Sequence, residues 1–265
     1  MGEVVSSTAN PLIKRIRKLK QRKHRDSDGA FFVEGIRPVW SALGSDAAVE
    51  SIVVAPELLT SDEARDRLSA SEAPVTEVSA DVFRAIAERE HPSGLGAVVK
   101  TWARELEDLE IGRDSVVVAV DDVGNPGNLG TILRTADAAG ATAVVLTGAG
   151  TDPFHPTAVK ASMGTLFTVP VFQGEDVESF VKWCAANGVS VVATSARAES
   201  EHWSVEYPFP VALLLGSEAT GLPRSVVDEA DVSVRIPMEG DASSLNLAVA
   251  AGVILFEVVR QRSRR

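Results

Sequence analysis

Three short loops of this chain set asparagine, arginine, glutamate or serine beside glycine or other small residues. The loops read "NPGNLGTILRTADAAGA" (Asn125–Ala141), "LLLGSEATGLP" (Leu213–Pro223) and "IPMEGDASSLNLAVAAG" (Ile236–Gly252). Together they present Asn128, Arg134, Ser217, Glu218, Ser243, Ser244 and Asn246. Small residues let a ligand approach the backbone, and a few polar groups then orient it. Familiar chemistries fail on particular residues. The glycines of the first loop, Gly124, Gly127 and Gly130, have the spacing G-x-x-G-x-x-G rather than the dinucleotide pattern, and the strand "VVLTGAG" ends without an acid. There is no G-K-[ST] of a Walker loop. "LLLGSEATGLP" lacks G-x-S-x-G, and no histidine follows it to complete a triad. Each polar residue also has a purely structural reading. Asn128 can cap the helix that follows, Arg134 can pair with Asp137, Glu218 can be a loop charge, and Ser244 can cap the last helix.

All three loops follow apolar runs that read as strands, the position where open α/β sheets build ligand sites. From Val116 onward the expected strands are "VVVAVD", "AVVLTG", "LFTVPVF", "VSVVAT", "VALLLG" and "DVSVRI". The expected helices lie near 129–139, 156–163, 175–187, 223–228 and 244–262. Nearly continuous apolar strands with crossover helices predict a parallel sheet. Residues 26–100 alternate strand and helix in shorter pieces, from "FFVEG" to "LGAVVK", and predict a small α/β domain. The charged, weakly periodic stretch 101–114 reads as a linker, which leaves 115–265 as the second domain.

The first 25 residues read as a basic helical arm, set apart by charge from the rest. They hold eight Lys and Arg (Lys14, Arg15, Arg17, Lys18, Lys20, Arg22, Lys23, Arg25) against Glu3, within a chain of net charge −11. "TANPLIKRIRKLKQRKHRD" reads as one helix capped by Asn10 with Pro11 in its first turn and a narrow apolar stripe. Clustered cations of this kind capture phosphates; a solvated helix face is the alternative. The longest apolar run is half a bilayer span, no secretory signal is present, and Cys184 stands alone in an apolar helical context as a buried inert thiol. The four histidines are scattered, so no metal is expected, and the cytoplasm is the expected compartment.

Read as NxGxxxRTAxAxGA, GxExxGL and IPMxGxxxSLNLAVAAG, the three loops resemble the three motifs of the SpoU/TrmH family of RNA ribose 2′-O-methyltransferases, in the family's order. "SSTANPLIKRIRKLKQRKHRD" and "FFVEGIR" resemble the substrate-binding domain of many members, so the resemblance covers nearly the whole chain. It implies an α/β SPOUT fold with a parallel sheet and a deep C-terminal trefoil knot, preceded by a small ribosomal-protein-like RNA-binding domain. It implies S-adenosylmethionine as methyl donor, held by Gly216, Ile236 and Leu245, with Thr194, Leu215, Met238 and Ser244 as further candidates. A homodimer formed through the C-terminal domain is implied as well, and no membrane is involved.

The resemblance assigns Arg134 to catalysis, acting on the cofactor of the other subunit, with Asn128, Glu218, Ser244 and Asn246 around the reaction. An arginine stays charged and makes a strained general base, so a positional role is expected: gripping the phosphate beside the target ribose and stabilising charge on the 2′ oxygen. Glu218, or Asn246 through a water, is expected to orient the proton. RNA contacts are expected from Lys14, Arg15, Arg17, Lys18, Arg22, Lys23 and Arg37. The N-terminal domain favours ribosomal RNA, 23S rRNA above all, over tRNA. The alternatives are a tRNA 2′-O-methyltransferase and a non-catalytic RNA-binding or ribosome-assembly protein of the same fold.

Overall fold

The computed structural model describes residues 4–264. They form two compact units: the chain up to Trp102 together with Phe154–Thr168, and Ala103–Pro153 together with the chain from Val169 onward.

The first unit opens with helices α1 (Pro11–Leu19) and α2 (Arg22–Asp28). It continues through β1 (Ala30–Glu34), α3 (Ile36–Leu43), β2 (Val49–Val54), α4 (Asp62–Ser69), β3 (Val75–Glu77), α5 (Ala80–Ile86) and β4 (Leu95–Lys100). Its four-stranded sheet has the order β1-β4-β2-β3, with β4 antiparallel to both neighbours and β2 parallel to β3. Asn10 caps α1 as expected, its Oδ1 accepting from the Leu12 N–H at 2.9 Å. The basic segment is two helices rather than one, and it is no detached arm. Ile13, Ile16 and Leu19 are buried in one core with Val53, Val82, Phe83, Ile86 and Val98. The chain turns extended at Gln21 so that Arg25 becomes buried. Arg25 Nη1 then donates to the carbonyls of Leu19 (2.9 Å) and Lys20 (3.1 Å), satisfying acceptors that the end of α1 leaves open.

The second unit contains β5 (Val116–Asp121), α6 (Pro126–Ala138) and β6 (Ala143–Thr147). The chain next forms α7 (Pro156–Ser162), which groups with the first unit, and then β7 (Val171–Gln173), α8 (Val177–Ala186), β8 (Ser190–Thr194) and β9 (Ser200–Glu201). It ends with β10 (Val211–Leu215), α9 (Arg224–Glu229), β11 (Val232–Arg235) and α10 (Leu247–Arg262). The sheet is parallel throughout, in the order β7-β6-β5-β10-β8-β11-β9. The chain moves outward from β5 to β7, crosses to β8, and only later inserts β10 beside β5. The core on one face includes Val117, Val145, Phe172, Phe180 and Leu214. Cys184 lies fully buried there, its thiol pushed up to about 12 mainly by burial, the inert state expected of it.

Three boundaries differ from those read in the sequence. The strand expected over "LFTVPVF" is confined to Val171–Gln173, because Thr165–Phe167 coil into a 3-10 turn. Residues 154–168 join the first unit, where Phe154 and Phe167 pack on Phe31 with ring centroids at 4.8 and 6.2 Å. The stretch 101–114 is anchored as well. Trp102 joins that ring cluster, and Leu106 and Leu109 are buried in the core of the second unit.

Candidate functional site

β5 and β10 run parallel in register, Val120 beside Leu215, so the first two polar loops leave the sheet side by side. After β5 the chain enters α6 through Asn125 and Pro126. Asn125 is the cap: its Oδ1 accepts from the N–H groups of Gly127 (2.8 Å) and Asn128 (3.3 Å). The Asn-Pro pair that marks α1 at Asn10 marks α6 at Asn125, and this shift of three residues releases Asn128 from a capping role.

Asn128 joins the other two loops instead. Its Nδ2 donates to Glu218 Oε1 at 2.9 Å, and its Oδ1 accepts from Asn246 Nδ2 at 2.9 Å. Asn246, not Ser244, caps α10, with Oδ1 accepting from the N–H groups of Ala248 (3.0 Å) and Val249 (3.3 Å). Glu218 also receives the backbone N–H groups of Gly124 (3.2 Å, at Oε2) and Asn125 (3.4 Å, at Oε1). Partial burial acts to raise the Glu218 pKa, but the bond from Asn128 and the surrounding backbone N–H groups outweigh it and hold the carboxyl below its ordinary value. A carboxylate so stabilised is a poorer proton acceptor than a free one. Its geometry is that of a fastener between the first and second loops. Asn246 Oδ1 is likewise occupied by the α10 cap.

The second and third loops enclose an open cavity of about 1370 Å³. Thr194, Leu215, Gly216, Ile236, Met238, Ser244 and Leu245, the seven residues assigned to the cofactor, all border it, as do Glu218 and Asn246. The loop between Gly216 and Leu222 folds back tightly: Ser217 Oγ and Thr220 Oγ1 are 2.8 Å apart, and the Gly221 N–H donates to the Ser217 carbonyl at 3.0 Å. A Cβ on Gly216 would lie 2.3 Å from Gly221 C and Leu222 N, so only glycine permits this fold. Apolar walls from Leu215, Ile236 and Leu245 beside main-chain polar groups suit a purine ring, and the residues fit a nucleoside cofactor such as S-adenosylmethionine.

Arg134 does not border that cavity. It lies exposed on α6 with no hydrogen bond or ion pair among the described residues, so the pairing with Asp137 does not form. Of the cations expected to meet RNA, Lys14, Arg17, Lys18, Arg22, Lys23 and Arg37 are exposed. Arg15 is not available in the same way: it makes a bidentate bond to Asp28 (2.8 and 2.7 Å) and a 2.7 Å ion pair with Glu50. Among the described residues no cluster of His, Cys, Asp or Glu is placed to hold a metal, and no helix is long and apolar enough to cross a membrane.

The sequence model of the SpoU rRNA Methylase family matches residues 115–256, and that of the MRM3-like substrate binding domain matches residues 10–97. The chain is 30% identical to the 23S rRNA (guanosine(2553)-2′-O)-methyltransferase RlmP of Bacillus subtilis, over 96% of this chain and 98% of that protein. It is 32% identical to the 23S rRNA (uridine(2479)-2′-O)-methyltransferase of Streptomyces viridochromogenes, over 92% and 87%. Among solved structures, the AdoMet-bound rRNA methyltransferase of Sinorhizobium meliloti superimposes with a TM-score of 0.87 at 39% identity, covering 97% of each chain.

Proposed function

The chain belongs to the SpoU rRNA Methylase family, and on that basis we propose that it methylates a ribose 2′-hydroxyl of 23S ribosomal RNA with S-adenosylmethionine as donor. The observation that carries this reading is the hydrogen-bonded chain Glu218–Asn128–Asn246, which ties the three family motifs together beside a cavity bordered by every residue assigned to the cofactor. When bound, the cofactor supplies an electrophilic methyl group on a sulfonium. The protein must hold it, bring a ribose to it, and stabilise the oxygen that loses its proton. Gly216, Leu215, Ile236 and Leu245 hold the nucleoside part, and Glu218 fixes the loop that contains Gly216. Arg134 grips the phosphate next to the target ribose with its planar fork and offsets negative charge developing on the 2′ oxygen.

Because Arg134 is exposed and does not border the cavity of its own chain, it serves the cavity of a second copy. The exposed apolar residues of α10, Val249 (52%), Val253 (39%) and Phe256 (50%), recur at helical spacing and form the face on which that copy docks. The C-terminal segment that carries Asn246 and α10 is threaded as the trefoil knot of the family. The first unit, with Lys14, Arg17, Lys18, Arg22, Lys23 and Arg37, finds the RNA. Incubation of the purified protein with methyl-labelled S-adenosylmethionine and unmodified 23S rRNA or bulk tRNA, followed by mapping of 2′-O-methyl positions, tests the proposal. One labelled ribose in 23S rRNA is expected. Label in tRNA alone would replace rRNA as substrate, and no label in either would leave RNA binding without transfer.

A further inference from the structure

One charged group of the cavity neither holds the nucleoside nor meets the ribose. Arg235, the last residue of β11, borders the cavity directly before Ile236. Its Nε is buried and has no hydrogen-bond partner among the described residues, while the side chain as a whole is 40% exposed. Its ion pair to Glu201 is long, Nη2 to Oε1 at 3.7 Å, beyond hydrogen-bonding length. A guanidinium N–H withdrawn from water and left unmatched carries a free-energy penalty that a suitable acceptor removes. Two other arginines border the same cavity. Arg224 is extended into solvent and paired along its helix with Asp228 at 3.5 Å, and Arg197 lies exposed on the loop after β8. Neither has a stranded buried donor.

A cation that borders the cavity and is held there by a single long ion pair is complementary to an anionic part of the ligand. The cofactor has one such part. Adenosine is uncharged, the sulfonium and the α-amino group are positive, and the α-carboxylate is the single anion. We propose that Arg235 anchors the α-carboxylate of S-adenosylmethionine. This role rests on S-adenosylmethionine being the occupant of the cavity and adds a recognition element for its amino-acid tail. Affinity then depends on the tail as well as on the adenine slot, and the carboxylate fixes the direction in which the tail leaves the nucleoside.

Calorimetry on the full chain tests this with three probes: S-adenosylmethionine, its decarboxylated form, and 5′-methylthioadenosine, which lacks the tail. The wild type is expected to prefer S-adenosylmethionine over the decarboxylated form by roughly 10- to 100-fold, the scale of a charge-assisted hydrogen bond. Arg235→Ala and Arg235→Gln are expected to abolish that preference while 5′-methylthioadenosine binds as it does to the wild type, which also reports an intact fold. Arg197→Ala is expected to keep the preference. The proposal is overturned if Arg235→Ala retains the preference, if both variants weaken 5′-methylthioadenosine in parallel, or if Arg197→Ala removes the preference instead. A wild type that binds S-adenosylmethionine without such a preference defeats the role of Arg235 alone. One that binds none of the three probes defeats the cofactor reading along with it.

Discussion

The carboxylate of Glu218 accepts hydrogen bonds from Asn128, Gly124 and Asn125, and that occupancy decides what can be asked of it. Glutamine at this position keeps one acceptor but turns an N–H toward one of the donors, and alanine removes both acceptors. Glu218→Gln is expected to lower kcat by roughly tenfold and Glu218→Ala by more, as measured by steady-state methylation; the bonds are solvent-exposed, so each is worth no more than about 0.5–1.5 kcal/mol. In the folded protein this carboxyl titrates below its ordinary 4.5. The stabilisation it provides is therefore complete at neutral pH and disappears as pH falls through the folded pKa. The Tm gap between wild type and Glu218→Gln is expected to close on acidification below 4.5. A gap that widens instead would show the carboxyl to be held above its ordinary range. At Arg134 the lysine variant separates charge from shape. Arg134→Lys keeps the cation and loses the fork, so kcat/KM is expected to fall by roughly 100-fold with cofactor affinity unchanged; near-complete retention of activity would remove the bidentate grip. Residue types alone made this constellation visible, since Asn128, Glu218 and Asn246 stand out among small residues. Their partners were not legible, because the three-residue choice between Asn125 and Asn128 as cap depends on where α6 begins.

At the level of elements, α1 has two faces with different duties. Ile13, Ile16 and Leu19 are fully buried, each contributing roughly 1.5–3 kcal/mol by leaving water. Deleting the segment would therefore disrupt the first unit rather than only its RNA binding. The exposed cations of α1 and α2 are the ones to alter. The triple variant Lys14→Ala, Lys18→Ala, Lys23→Ala is expected to weaken RNA binding at all sequences and to reduce the salt slope by roughly one for each phosphate no longer neutralised. Binding titrations at several salt concentrations check this, and an unchanged slope would move the RNA elsewhere. The strands of the second unit were legible because continuous apolar runs such as "VVVAVD" and "VALLLG" are buried on both faces. The break in the basic helix was not legible. It is made by a side chain, Arg25, that reaches back to the carbonyls of Leu19 and Lys20, whereas cationic composition suggested one exposed helix.

For the whole molecule, the exposed stripe Val249, Val253 and Phe256 and the outward position of Arg134 lead to one expectation. On the proposed docking of a second copy, the wild type is expected to be dimeric in light scattering, and Phe256→Asp to be monomeric and to lose methylation. A monomeric variant with full activity would return Arg134 to its own chain's cavity. Domain organisation was legible only coarsely, because periodicity reports helices and strands but not which core they join. Phe154 and Phe167 lie within the second unit's stretch of sequence and pack in the first unit. The polypeptide therefore passes between the two units three times, at 102/103, 153/154 and 168/169. No single proteolytic nick can release either unit whole. During synthesis, the first unit cannot close its aromatic cluster when its own sheet has emerged from the ribosome. It must wait for residue 168, by which time the first strands of the second unit are already outside, so the nascent chain completes the two units in overlap rather than in succession.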